Sequence, residues 1–239
     1  MKDKLTLVYT TDLHGFLVAD SYLTDQKSSH GLIQTASLIK RIRREEKEVI
    51  FFDNGDTLSG SLISLRCGED KRYSNPMVNA LNELDCAFSV VGNHEFDFGR
   101  KYLDKAVEQS NFPWLGANLV KNRGGNPAFG PAWHIQTTES GKKVAFIGLT
   151  TPETAELAHE DAIKGLTFSD PVEVLAPILK EVKDLGVDLI VVASHGGYDS
   201  KTPFWSQEVP ENLDLRSQIC EKYPEIDLFI TGHTHSLLS

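Results

Sequence analysis

A chain of 239 residues with 40% hydrophobic and 24% charged side chains has the composition of an ordinary globular protein and can bury a core without disulfides. Its 34 acidic against 24 basic side chains leave a net charge of −10, which excludes general nucleic-acid coating because no broad basic face is available to neutralise phosphates. A small phosphorylated substrate stays open, since a local metal cluster would outweigh distant carboxylates.

The opening "MKDKLTLVYTTDLHG" runs straight into a strand-like segment and lacks the apolar region of a signal peptide. No apolar stretch approaches the ~20 residues needed to span a bilayer. A cytoplasmic location is the default expectation, and a secreted or periplasmic chain with its leader trimmed would read the same. Six apolar runs then follow as candidate strands: "LTLVYT" (5–10), "VIFF" (49–52), "AFSVV" (87–91), "KVAFIGL" (143–149), "DLIVVAS" (188–194) and "IDLFIT" (226–231). They are continuous rather than alternating, as expected of strands covered on both faces.

Between them lie helical patterns. Gly31 to Lys47 carries Leu32, Ile33, Ala36, Ile39 and Ile42 at helical spacing; Asn75 to Leu84 and Arg100 to Gln109 follow. Asp170 and Pro171 open Val172 to Leu185 with an N-cap and a proline at the first helical position. Strands separated by helices predict an α/β fold with a mainly parallel sheet and crossovers. The segment 111–141 breaks the rhythm, with a short strand at "PWLGANL" and an antiparallel excursion through "AWHIQTT"; 196–212 reads as a long loop. With no repeat, low-complexity tract or linker, one domain over 1–239 is expected. Cys67, Cys86 and Cys220 are odd in number and far apart, which suits a reducing compartment and three buried, inert thiols.

Five of the strands end in polar residues of one chemical kind. "LTLVYT" leads to Asp12 and His14, "VIFF" to Asp53, Asn54 and Asp56, and "AFSVV" to Asn93, His94 and Glu95. "DLIVVAS" leads to His195, and "IDLFIT" to His233 and His235. In open α/β sheets the carboxyl ends of the strands are where ligands bind. Five of the eight histidines sit at these ends; His30, His134 and His159 do not. Carboxylates, an amide and imidazoles suit Mn, Fe, Zn or Mg better than a thiolate-rich structural zinc site. Asp12, His14, Asp56, Asn93, His195, His233 and His235 outnumber the needs of one ion and suffice for two that share a carboxylate, placed roughly 3.5–4 Å apart. His94 is then spare. Asp97, three residues on, is spaced to orient its imidazole for general acid catalysis, or alternatively to cap the helix beginning near Gly99.

The ordered blocks "TDLHG", "NGDTLSG", "GNHEFDFG", "SHGG" and "TGHTH" resemble those of the calcineurin-like metallophosphoesterases. "DNGDTLSGS", "VGNHEFDFG", "NFPWLGANL" and the glycine-led "GLIQTASLIKRIR" look like the branch of 5'-nucleotidases and 2',3'-cyclic-nucleotide 2'-phosphodiesterases. The resemblance covers essentially the whole chain. It implies a layered fold of sheets with flanking helices and ligands at the C-terminal ends of strands. It implies a first divalent ion on Asp12, His14 and His235, a second on Asn93, His195 and His233, and Asp56 bridging both. It further implies a metal-activated water attacking phosphorus in line, with catalytic His94, oriented by Asp97, protonating the leaving alkoxide. Some members of the branch carry glutamine at the last histidine; His235 keeps the imidazole.

Relatives of this kind continue past the last block with more strands and a second domain that recognises the nucleotide, so that domain of the same polypeptide is expected to be missing here. Phe96, Phe98, Trp114, Trp133 and Trp205 are accordingly assigned to packing. The expected substrate is a small nucleotide, with the glycine-led helix and "FDFG" leaning toward the 2',3'-cyclic phosphate over the 5'-monophosphate. The competing readings are a noncatalytic binding scaffold on this fold, which predicts degraded ligand positions, and a phosphoesterase of non-nucleotide esters. A metal hydrolase of amides or lactams would want an H-x-H-x-D-H run, which is absent.

Overall fold

The apolar runs separate by face. In β2 (Val49–Asp53), Phe51 packs with helical side chains while Ile50 and Phe52 turn the other way. In β7 (Lys143–Thr150), Ala145, Ile147 and Leu149 share one core, and Val144 and Phe146 another. The period-two geometry of a strand requires this: a strand apolar on both sides must be covered on both sides. The computed structural model, which describes residues 4–18, 31–70, 72–196 and 215–235, satisfies it with four layers, helices–sheet–sheet–helices.

The first sheet runs β1 (Thr6–Thr10), β2, β3 (Ser89–Val90), β4 (Trp114–Leu115), all parallel. Its outer face is covered by α1 (Leu32–Glu45), α3 (Pro76–Glu83) and α4 (Arg100–Gln109), through Leu32, Ile39, Met77, Leu81 and Leu103. The second runs β10 (Leu228–Thr231), β9 (Leu189–His195), β7, β6 (Trp133–Thr137), with only β6 antiparallel. α7 (Pro171–Asp184) covers it with Val172, Leu175, Leu179 and Val182, joined by Ile219 of α8 (Leu215–Lys222). Between the sheets, Phe52, Phe88 and Phe146 form a mutual aromatic cluster with ring centroids 4.6, 4.9 and 5.5 Å apart. β5 (Leu119–Lys121) and β8 (Leu166–Phe168) pair separately as an antiparallel ribbon.

The structure corrects several expectations. The six principal runs fill two sheets rather than one. The strand expected over "PWLGANL" splits into β4 and β5 in different sheets, because the chain leaves the first sheet at Gly116 and Asn118 bonds the β7 end through Thr150. Helix α2 (Leu62–Glu69), the short α5 (Thr154–Leu157) and α6 (Glu160–Ile163), β8 and α8 were not anticipated. α2 starts at a reciprocal capping box between Ser61 and Ser64. Cys220 is exposed, unlike buried Cys67 and Cys86, because α8 turns its neighbour Ile219 inward. Phe96 and Trp114 are buried and Trp133 packs against the second outer core, as expected; Phe98 is half-buried, edge-on to Tyr102. His30, Trp205 and nearly all of the 196–212 loop lie outside the described residues. No helix among the described residues is long and apolar enough to cross a membrane.

The aromatic cluster is the joint between the sheets, so Phe146→Ala should cost about 3–5 kcal/mol. Leu157→Ala, at a side chain 61% exposed, should change stability by less than about 0.5 kcal/mol. Urea unfolding of the two variants checks the contrast.

Candidate metal centre

Both sheets present their carboxyl ends to the same rim, and buried polar bonds tie them there. Asn54 Nδ2 donates to the Ser194 carbonyl at 3.1 Å, and Thr150 Oγ1 to the Val91 carbonyl at 2.7 Å. Beneath the rim, buried Asp53 accepts from Thr10, Thr57 and Ser89 hydroxyls, joining the ends of β1, β2 and β3. Burial pushes its carboxyl up to about 6, against those three hydroxyls and the Gly55 N–H.

At this rim the structure brings six of the seven expected ligands and the His94–Asp97 pair together, with Asn93 on the chain directly before His94. Three sets of potential ligand atoms each lie within 4.8 Å of one another: Asp12, His14, His235; His14, Asp56, His94; and Asp56, His195, His233. His14 Nε2 stands 2.9 Å from His235 Nε2, and His235 Nε2 3.3 Å from Asp12 Oδ1. Asn93 is buried, its Oδ1 without a hydrogen-bond partner.

Ring orientation is set by what the outer nitrogen meets. His195 Nδ1 lies 2.7 Å from the Asn54 carbonyl, and His14 Nδ1 3.3 Å from the Ser59 carbonyl. A carbonyl only accepts, so Nδ1 carries the proton and Nε2 keeps its lone pair. For fully buried His195, that lone pair stands 2.9 Å from Asp56 Oδ2 without the alignment of a hydrogen bond. Lone pairs and carboxylates facing each other in a dry site are unfavourable unless a cation lies among them. With only a proton to supply that charge, burial pulls the His195 imidazole down but the Asp56 carboxylate outweighs it, pushing His195 up to about 9. The residues present therefore fit divalent cations.

Backbone strain marks the same positions. Among the described residues six non-glycine residues have positive φ, and five of them are Asp12, His14, Asp56, His233 and His235. Such conformations persist only where surrounding bonds over-determine them, which points to function. The bonds are present. Asp12 N donates to the Gly55 carbonyl, His14 N to the Asp56 carbonyl, and His233 N to both Asp12 carboxylate oxygens. Packing also forbids side chains here: a methyl on Gly92 would stand 2.3 Å from Asp56 Oδ1, and one on Gly232 2.2 Å from Thr11 Oγ1.

His94 lies at the mouth, its ring edge-on to His14 with centroids 5.0 Å apart. Its Nδ1 is 2.9 Å from Asp97 Oδ2, and that hydrogen bond raises the imidazole above its usual value, against burial. The capping alternative for Asp97 does not hold: Gly99 occupies the N-cap of α4 with no side-chain cap, while Asp97 binds His94 and the Ser59 hydroxyl.

Three contributors escaped the sequence reading as functional groups. Fully buried Glu95 accepts backbone N–H bonds from Asp56, Thr57, Leu58 and Gly92 at 2.7–3.1 Å, clamping the β2 loop to the β3 loop. Burial and the Asp56 charge push its carboxyl up, to about 7. Ser59 joins His14 to Asp97, through its carbonyl and its hydroxyl. Glu153 reaches His233. The available signal was the acid of "GNHE", quoted as a motif without a role.

A site of this composition, at the C-terminal ends of parallel strands, defines a metal-centre α/β protein of phosphoesterase type. The Calcineurin-like phosphoesterase family model matches residues 5–237, and the chain belongs to that family. It is 32% identical, over 98% of its length, to the 2',3'-cyclic-nucleotide 2'-phosphodiesterase/3'-nucleotidase of Haemophilus influenzae, and 29% identical over 97% to the 5'-nucleotidase of Vibrio cholerae. It spans only 36% and 40% of the lengths of those two curated relatives. The crystal structure of calcineurin-like phosphoesterase YfkN from Bacillus subtilis superposes with a TM-score of 0.84 at 25% identity, covering 98% of this chain and 73% of that one.

Adding Mn²⁺ should raise the melting temperature, by the equivalent of about 2.7 kcal/mol at a hundredfold excess over Kd, and EDTA should reverse it. Asp56→Asn should remove most of that gain. Differential scanning calorimetry with and without Mn²⁺ checks both.

Proposed function

We propose that this chain hydrolyses phosphoesters of nucleotides at a pair of divalent ions. Asp12, His14 and His235 would hold one ion, Asn93, His195 and His233 the other, and Asp56 both. The observation that carries the reading is the position of Asp56. It shares one ligand set with His195 and His233 and another with His14, while His94 and Asp97 sit paired at the mouth.

The ions, when bound, lower the pKa of a water nucleophile and offset charge developing on the phosphoryl oxygens. The chain's residues do the rest. Asp97 holds His94 Nδ1, which leaves Nε2 as the nitrogen that donates a proton to the departing oxygen as the P–O bond breaks. Ser59 keeps the Asp97 carboxylate in place by donating its hydroxyl. Glu95 fixes the backbone of Asp56 and Gly92 through their N–H groups, which holds the loop that carries Asp56 in place.

The names of the relatives support nucleotides as the substrate class, and both cyclic and monophosphate esters are among them. We favour the 2',3'-cyclic phosphate. Every ligand position is intact, which speaks against a noncatalytic scaffold.

Steady-state hydrolysis of 2',3'-cyclic AMP, 3'-AMP, 5'-AMP and 4-nitrophenyl phosphate, with Mn²⁺ and then EDTA, tests the proposal. Metal-dependent turnover fastest on the cyclic ester is expected. Turnover of 4-nitrophenyl phosphate alone would move the substrate outside nucleotides, and no turnover with two ions bound would favour the scaffold. His94→Ala should lower kcat by about 10²–10⁴-fold. Its metal content, read by elemental analysis, should stay unchanged; equal loss of metal would remove His94 from the catalytic role.

A further inference from the structure

β7 is the one central strand of the second sheet that ends without an expected ligand, yet its carboxyl end reaches the same rim, Thr150 lying opposite His195 in the β7–β9 register. Three residues further on, Glu153 places Oε2 3.4 Å from His233 Nε2. The backbone of Glu153 is held by the turn that opens α5, its carbonyl accepting from the N–H groups of Glu156 and Leu157. The backbone of His233 is held by the Asp12 carboxylate. Both backbones are thus fixed, and the carboxylate and imidazole they carry stand within ion-pair distance. His233 has two ring nitrogens, and one ion takes one of them. With Nε2 facing Glu153, Nδ1 is the nitrogen left for the cluster of Asp56 and His195.

We propose that Glu153 is a positioning residue for the second ion. It accepts the Nε2–H of His233, which fixes the ring and the tautomer whose lone pair is on Nδ1. This rests on the reading of His233 as a metal ligand. Carboxylates behind ligating imidazoles act in this way generally, and their removal costs 10–100-fold in metal affinity. Glu153 belongs to none of the five motif blocks, so no motif assigns it this part. Its own side chain is 50% exposed and outside the packed core, so substitution should leave the fold intact.

Titration calorimetry with Mn²⁺ on the wild-type chain, Glu153→Ala and Glu153→Gln tests the proposal without reference to turnover. Glu153→Ala should weaken one of the two Mn²⁺ sites by about 10–100-fold and leave the other unchanged. Glu153→Gln, whose amide oxygen still accepts the Nε2–H, should bind close to wild type. The metal-free melting temperatures of all three should coincide. Wild-type affinity for both ions in Glu153→Ala overturns the inference, and so does a loss in Glu153→Gln as large as in Glu153→Ala, which would make Glu153 a ligand or a bare charge. A wild-type chain that takes up fewer than two Mn²⁺ ions sinks instead the two-ion reading on which the inference rests.

Discussion

A buried imidazole nitrogen 2.9 Å from a buried carboxylate, a pairing that needs positive charge between the two, is the constraint around which the rim of this protein is arranged. His195 cannot turn away, because its other nitrogen is committed to the Asn54 carbonyl. Asp56 cannot turn away either, since its second oxygen accepts from His94 N–H and its backbone is clamped by Glu95. Such an arrangement stores repulsion unless positive charge occupies the space between. His14, His235 and Asp12 form a more open counterpart, with three facing atoms within 4.0 Å of one another and His235 largely exposed. The centre is held together by bonds that surround it and is completed by cations.

Two sheets rather than one make this possible. β1, β2 and β3 bring Asp12, Asp56 and Asn93 from one side, while β9 and β10 bring His195 and His233 from the other. The aromatic joint of Phe52, Phe88 and Phe146 fixes the sheets to each other just below. Rigid strands deliver the side chains to within reach; after β1, β2 and β10 the final aiming is done by single residues in left-handed backbone, whereas His195 sits on the end of β9 itself and Asn93 follows β3 in right-handed backbone. That division places the strain where bound ions would offset it and leaves the core in ordinary geometry.

Much of this was legible in the sequence because it is local. Continuous apolar runs forecast strands covered on both faces, and Asp170 with Pro171 forecast the start of α7, where Asp170 accepts the first N–H; Asn75 does the same for α3. The polar residues after five runs forecast the site, since strand ends are where parallel sheets expose them. What was not legible depends on distant partners. Nothing in "VIFF" or "DLIVVAS" states which sheet a strand joins; that depends on pairing with strands distant in sequence and on inter-sheet packing such as the tilted contact of Phe52 with Phe146. Glu95 stands among the strand-end acids of the sequence, but its clamping part shows only when the N–H groups of residues 56–58 are seen to converge on it. Glu153, some eighty residues before its partner His233, carries no local signal at all.

The proposed function turns on one central claim, that Asp56 lies between two divalent ions. The most direct test is an anomalous difference map from a crystal grown or soaked with Mn²⁺. Two peaks roughly 3.5–4 Å apart, flanking the Asp56 carboxylate, are expected. A single peak, or two peaks that do not share Asp56, would contradict the account.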